Sequence, residues 1–211
     1  INEVMTWSIL DAQTVSFPEE LFHQLKNAPT FSGFDLMHLD AEFGKHVGQE
    51  INKWILSRKL SADVIASHGH TVFHSPAKGF TTQIGSGAHI AFHTGIDTIT
   101  TFRAADIAAG GQGAPFAPVA DTILFPGYDG YLNLGGIANV NLLTKEDQWK
   151  AWDIGPCNQA LNHLARKLGQ PFDKDGKIAA SGSDIEEVIN ALLEMYPVTE
   201  GQPKGLSNAE V

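Results

Sequence analysis

The stretch TITTFRAADIAAGGQGAPFAP, which ends at Pro118, constrains the chain more than any other. Thr98 to Phe102 are mostly β-branched or aromatic, so the segment opens as a strand. It stops at Arg103 and Asp106, then runs through Gly110, Gly111 and Gly113, broken only by Gln112, to Pro115 and Pro118. A carboxylate just beyond a buried strand, followed by backbone that can pass close to a ligand, is how open α/β sheets build sites. Taken alone, the same residues also fit a surface loop in which Asp106 caps a short Ile107–Ala109 turn.

The bulk of the chain narrows the classes. With 211 residues, 43% of them hydrophobic and 18% charged, it suits a globular protein with a sizeable core, in one large domain or two modest ones. Its 24 acidic residues against 14 basic ones give a net charge of −10, which repels nucleic acid and anionic membrane; neither is an expected partner. Cys157 is the single cysteine, so an intrachain disulfide is excluded and a reducing compartment fits. No apolar run reaches the ~20 residues of a membrane span. The N-terminus has no basic region followed by an apolar core, so no signal peptide is read there and a cytoplasmic location is expected. The absence of an initiator Met and the ending NAEV read as a fragment whose flanks are missing.

Along the chain, Thr6–Phe17 is expected as a strand. Pro18, Glu19 and Glu20 suit the first turn of a helix. Phe34, Met37, Phe43, Val47, Ile51, Trp54 and Ile55 recur at helical spacing and predict a helix over Phe34–Leu60 packed on a sheet. Asp63–Ser67, Thr81–Gly85 and Thr98–Phe102 read as strands and Ser86–Thr94 as a helix. That alternation predicts a largely parallel sheet. The pattern restarts near Pro126–Gly127. Tyr131–Leu134 and Val140–Leu143 form a hairpin about Gly135–Gly136, Trp149–Ile154 is a third strand, and Pro156–Leu168 is a helix. A domain boundary is expected near 126.

The chemistry-bearing groups admit several readings. His68, His70 and His74, with His89 and His93 one helical turn apart, are metal-ligand types. No glutamate follows His89 in the zinc-helix pattern and there is no CxxC pair, so these imidazoles are expected to hydrogen-bond a polar ligand instead, and no metal ligand is assigned. A metal-dependent hydrolase stays as the alternative. Asn133-Leu-Gly-Gly-Ile-Ala-Asn139 can offer glycine amides to an anion, or be an ordinary hairpin. Asp153-Ile-Gly-Pro-Cys-Asn158 ends a strand and opens a helix whose N-terminus suits phosphate, or Asp153 simply caps it. Neither matches a P-loop. Cys157 reads as structural, and Asp173-Lys-Asp175-Gly176 as a solvated turn rather than a calcium loop.

Together these groups resemble the anhydro-N-acetylmuramic acid kinase family, within the sugar kinase and actin-like superfamily. The residues that carry the resemblance are SHGHTVFHSP (67–76), TTQIG (81–85), FRAADIAAGGQGAPFAP (102–118), LNLGGIANV (132–140), WDIGPCN (152–158) and FDKDGKIAASG (172–182). They stand in family order and cover most of the chain. The resemblance implies an α/β fold of the two-lobed actin-like, ribonuclease H-like kind, with mixed sheets flanked by helices and the active site between the lobes. Residues 1–125 would bind sugar and 126–211 would begin the nucleotide lobe. It implies ATP and Mg²⁺ as cofactors, an anhydrosugar as substrate, and hydrolysis of the 1,6-anhydro bond with phosphorylation of O6. A levoglucosan-type sugar is the alternative substrate, and a homodimer is left open. Asp106 matches the general base and Arg103 would hold a negative charge beside it. His68, Gly69, His70, Thr71, Gln83 and Gln112 would contact sugar. Asn133, Gly135, Gly136, Asn139, Asp153, Gly155 and Asn158 would line the nucleotide phosphates. The chain departs from the family pattern at His70 (usually Gln), Ser86 (usually Asp), Thr101 (usually Asp) and Cys157 (usually Gly). The family's N-terminal ATP loop is not among these residues, so the 211-residue piece alone is expected to be inactive. A non-catalytic sugar-binding relative is the third reading.

Overall fold

A serine sets the frame of the first half. Ser32 accepts the amide of Asp35 at 3.1 Å while its hydroxyl donates to the Asp35 carboxylate at 2.6 Å, which ties off the start of a long helix. The computed structural model describes residues 6–113, 116–146 and 148–196 and divides the chain into two units, Ser8–Ala114 and Pro115–Val211 with Ile1–Trp7. The secondary structure is mixed α/β in both.

In the first unit, helix α1 (Glu19–Asn27) carries Glu19 and Glu20 in its first turn, as the sequence suggests. Helix α2 (Gly33–Arg58) follows and confirms the long helical pattern. Leu21, Leu25 and Ala28 pack with Leu39 and Phe43 of α2 and with Ile84 to make the core of this unit. Strands β1 (Ile65–Ala66), β2 (His70–Ser75) and β3 (Phe80–Ile84) come next, then α3 (Gly87–Thr94), β4 (Thr98–Ile99) and α4 (Phe102–Ala108). Gly44 and Gly48 let α3 lie almost on the backbone of α2. A Cβ on Gly44 would stand 2.6 Å from the Ser86 carbonyl oxygen, and one on Gly48 3.0 Å from the Ile90 Cα.

In the second unit, α5 (Phe116–Leu124) precedes the antiparallel meander β5 (Gly130–Leu134), β6 (Ile137–Leu143) and β7 (Trp149–Pro156). Helices α6 (Asn158–Lys167), α7 (Lys177–Ala180) and α8 (Glu186–Met195) follow. The Asn141 side chain is buried and donates to the Pro118 carbonyl at 3.2 Å, so α5 is fixed to the middle of the sheet. The hairpin and the third strand stand where the sequence puts them.

Three expectations are corrected. Thr6–Phe17 forms no strand: its residues are mostly exposed and join no strand ladder among the described residues, and β-propensity without a ladder partner makes no strand. The largely parallel sheet is replaced by three small sheets, of which only the β1–β4 pair is parallel. The Pro76–Lys78 turn sends β3 straight back along β2 as a hairpin. The helix expected from Pro156 begins at Asn158, since Cys157 takes a non-helical φ of −131° and ψ of −112°. No helix among the described residues is long and apolar enough to cross a membrane. The Ala114–Pro115 junction and the closing PKGLSNAEV lie outside the described residues.

Candidate functional site

The strand foreseen over Thr98–Phe102 lasts two residues. Thr98 and Ile99 pair with β1, then Thr101 adopts the left-handed region (φ 59°, ψ 19°) and α4 begins at Phe102. A β-branched residue rarely sits there, so the surrounding structure holds it. Asp106 is therefore inside α4 and does not cap a later turn. The helix ends in a Schellman motif: Gly111 donates to the Asp106 carbonyl at 2.9 Å, Gly110 to the Ile107 carbonyl at 2.9 Å, and Gly110 has φ +90°.

That ending folds the glycine loop back onto Asp106 and Arg103. The Gly113 amide donates to Asp106 Oδ2 at 2.7 Å, and Arg103 Nε donates to the Gly113 carbonyl. Asp106 Oδ1 has no protein partner among the described residues, and the residue is half-buried. Arg103 also donates from Nη1 to Thr71 Oγ1 at 3.2 Å, and Nη2 lies 3.3 Å from His74 Nδ1. Burial pushes the Arg103 pKa down from its ordinary value. No carboxylate among the described residues forms an ion pair with this half-buried guanidinium. A desolvated cation of that kind favours an anionic ligand. Gln112 stands exposed in the same loop.

Gln83 extends the network, donating to Thr81 Oγ1 at 2.7 Å and to Thr71 Oγ1 at 3.3 Å. His74, expected from the sequence to hydrogen-bond a polar ligand, meets both Arg103 and Thr81, the latter at 3.2 Å. The other histidines are engaged separately: His70 Nε2 with the Leu25 carbonyl at 3.2 Å, His68 Nδ1 with the Gly69 carbonyl at 2.9 Å and His89 Nδ1 with Ser86 Oγ at 2.9 Å. Among the described residues no three His, Cys, Asp or Glu side chains gather in a group able to hold a metal ion.

A pocket of about 250 Å³ opens within this unit between α2, the Ser67–Gly69 segment and the β3–α3 corner. It brings together His68, Gly69 and Gln83 from the sequence reading and adds Asp40, Ser86, Thr100 and Thr101. Thr71, Arg103, Asp106 and Gln112 do not line it, and His70 is turned against Phe43, ring centroids 6.5 Å apart. Asp40 escaped the sequence reading because its partner, Gly85, is distant in the chain; no local motif marks it.

In the second unit the foreseen phosphate residues converge on one end of the sheet. Asn133 on β5, Asn139 on β6 and Asp153 on β7 are direct cross-strand partners, so they form one row. At the adjoining turn, Cys157 and Gln159 donate to the Gly136 carbonyl at 3.0 and 3.1 Å, and Asn158 to the Gly135 carbonyl at 3.1 Å. The start of α6 is thus already bonded to protein, and its helix N-terminus is not the open anion seat that the sequence suggests. The Asn158 side chain donates to the Leu134 carbonyl at 2.9 Å, and Gly155 is buried beside Tyr196. The amides of Gly135 and Gly136 make no turn hydrogen bond among the described residues. Amide donors and neutral side chains with one carboxylate fit a phosphate chain that carries a magnesium ion.

Comparison with known proteins bears on the whole of this arrangement. A family model described as anhydro-N-acetylmuramic acid kinase matches residues 3–208. Among curated relatives of that name, the protein of Paramagnetospirillum magneticum is 42% identical over 179 residues, covering 82% of this chain and 50% of its own length. That of Aliivibrio fischeri is 42% identical over 179 residues, covering 79% of this chain and 48% of its own length. That of Methylobacterium nodulans is 41% identical over 150 residues, covering 68% and 40%. The chain spans about half the length, or less, of the curated relatives it matches.

Proposed function

The chain belongs to the anhydro-N-acetylmuramic acid kinase family, and from that premise we propose that the whole protein is an ATP-dependent sugar kinase. It hydrolyses the 1,6-anhydro bond of anhydro-N-acetylmuramic acid and phosphorylates O6, giving N-acetylmuramic acid 6-phosphate. The fold is that of the sugar kinase and actin-like class. Residues 1–125 are assigned to sugar and base, and residues 126–211 to the nucleotide phosphates.

The observation that carries the reading is the state of Asp106. One carboxylate oxygen is held by the Gly113 amide and the other has no protein partner among the described residues. A carboxylate fixed at one oxygen presents a lone pair of defined direction at the other, which is what a general base for water requires. Asp106 accepts a proton from the water that bonds to C1. As the C1–O6 bond breaks, O6 takes up the electron pair and attacks the γ-phosphorus of ATP, and ADP leaves. Arg103, half-buried without a carboxylate partner, is suited to hold negative charge near the reacting groups. Gly135, Gly136, Asn133, Asn139 and Asn158 would border the phosphates, with Asp153 as the residue toward Mg²⁺. The metal, when bound, neutralises charge on the transferred phosphoryl group.

The test is turnover of the full-length protein with ATP and anhydro-N-acetylmuramic acid in ¹⁸O-water, followed by mass spectrometry. One heavy oxygen in the sugar product and its loss in Asp106→Asn are expected. Phosphorylation without incorporation of solvent oxygen would remove the hydrolytic step, and better turnover of levoglucosan would move the substrate assignment.

A further inference from the structure

The β2–β3 hairpin carries one residue more on β2 than on β3. His70 and Thr71 pair with Ile84 and Gln83, whereas Phe73, His74 and Ser75 pair with Thr82, Thr81 and Phe80, so the ladder skips Val72 as a β-bulge. In a regular strand Thr71 and His74, three residues apart, would point to opposite faces. The extra residue reverses that alternation, and the cross-strand pairs Thr71–Gln83 and His74–Thr81 come to share one face. Val72 itself packs against the core of the unit. Helix α4 brings Arg103 to the shared face, with Nη1 3.2 Å from Thr71 Oγ1 and Nη2 beside the His74 ring. Without the bulge, one strand could not offer both residues to one guanidinium.

The contact with His74 is of a particular kind. Nη2 lies 3.3 Å from Nδ1 and 3.5 Å from Nε2, and such nearly equal distances place the cation over the ring rather than in line with one lone pair. Thr81 Oγ1 stands 3.2 Å from Nδ1, donates its own hydrogen to the Phe73 carbonyl at 3.0 Å and accepts Gln83 Nε2 at 2.7 Å. With that hydrogen spent, Nδ1 is the donor of the His74–Thr81 bond, which fixes both the tautomer and the plane of the ring. A neutral imidazole offers its π face to the guanidinium, whereas an imidazolium would set two cations against each other.

We propose that His74 is a positioning residue for Arg103: the Val72 bulge turns it onto the Arg103 face, Thr81 locks its ring, and the ring face holds the guanidinium in place. Held so, Arg103 Nε reaches the Gly113 carbonyl, and the Gly113 amide in turn reaches Asp106 Oδ2. The inference rests on the kinase reading above, because turnover is what reports it, but it concerns how Arg103 is held and not what the enzyme recognises. His74 acts through Arg103 and is assigned no contact with substrate.

The experiment is steady-state kinetics of the full-length protein with ATP and anhydro-N-acetylmuramic acid, for His74→Leu and His74→Phe, each alone and combined with Arg103→Met. His74→Leu removes the ring, and kcat is expected to fall about tenfold, the size of a partly desolvated cation–π contact. KM for both substrates should stay within about twofold, since the guanidinium is needed for the transition state. His74→Phe restores a ring face without Nδ1 and is expected to recover kcat to within about threefold of wild type. In the Arg103→Met background His74→Leu should cost less than about twofold more, because the partner it served is gone. The ¹⁵N imidazole spectrum of the wild type, with His74 assigned by its absence in His74→Phe, should show a neutral ring protonated at Nδ1. That readout holds even where His74→Leu fails to fold. Strictly additive losses with Arg103→Met, no recovery by phenylalanine over leucine, or a ring protonated at Nε2 would overturn the positioning role and leave the kinase reading standing. Wild-type protein that phosphorylates no anhydrosugar would overturn both.

Discussion

Gly111 lies flush against Asp106, so close that a Cβ built on it would overlap carboxylate oxygen Oδ2. The same oxygen accepts the Gly113 amide at 2.7 Å, so a side chain at 111 and the Asp106–Gly113 bond exclude one another. Gly111→Ala should swing the carboxylate off the loop. The Asp side chain can rotate, which keeps the thermodynamic loss to about 1–2 kcal/mol in urea unfolding. Turnover should fall further, on the order of a hundredfold, because misplacing a catalytic group by an ångström costs that much. Parallel measurement of kcat and unfolding on the full-length protein separates the two; equal, small losses would make the glycine purely structural.

Arg103 grips the loop from the other side of the same residue. Its Nε reaches the Gly113 carbonyl, Nη1 the Thr71 hydroxyl and Nη2 the His74 ring. A lysine carries the charge on a single nitrogen and cannot span three partners. Arg103→Lys is expected to lower kcat/KM by roughly a hundredfold while the melting temperature shifts by only a few degrees. If lysine supports turnover within a few-fold of wild type, charge alone is what the position supplies.

How much of this was legible before coordinates depends on distance along the chain. The span of α2 is written in the spacing of Phe34, Phe43 and Val47, and Ser32 and Asp35 supply its cap locally. The β5–β6 hairpin and the start of β7 follow from their turn residues. Thr98–Phe102 misleads because β-propensity cannot foresee that Thr101 turns left-handed and releases Phe102 into an alanine-rich helix. The pairing of β2 with β3 was not read, because the alternation of strands and helices argued for crossovers, whereas the Pro76–Lys78 turn closes a hairpin. In the site, Asp106, Arg103 and the glycines stand within eleven consecutive residues, on α4 and the loop that ends it, and could be read together. Asp40 and His74 could not, since each acquires its partner only when α2 or α4 docks on β3 and β2.

Helix α2 offers a contest between propensity and space. Gly→Ala in a helix interior gains about 0.5–1 kcal/mol from reduced backbone entropy. At Gly44 the new methyl would meet the Ser86 carbonyl oxygen at 2.6 Å and its nitrogen at 2.7 Å, both backbone atoms that cannot rotate aside. Overpacking of this kind costs ~1–3 kcal/mol, so Gly44→Ala should be net destabilising and should also disturb Asp40, which bonds the amides of Gly85 and Ser86. At Gly33, in the first turn, a Cβ meets nothing within 4 Å, and Ala there should be neutral or stabilising. Urea midpoints of the two variants are expected to move in opposite directions, or at least to differ in that order.

The row Asn133–Asn139–Asp153 gives the second unit its own test. Three strands place these residues side by side, and only Asp153 among them carries charge. On the proposed reading the Asp153 carboxylate would face Mg²⁺, whereas the neutral asparagines would border the phosphates whether or not the metal is bound. Asp153→Asn preserves shape and removes the charge. ATP affinity of the full-length protein should fall on the order of tenfold when Mg²⁺ is present and hardly at all when it is chelated. Asn139→Ala should weaken ATP binding similarly in both conditions. Titration of a fluorescent ATP analogue with and without Mg²⁺ reads both variants at once. A loss in Asp153→Asn that is the same with and without the metal would show that the carboxylate serves the strand pairing and not the ion.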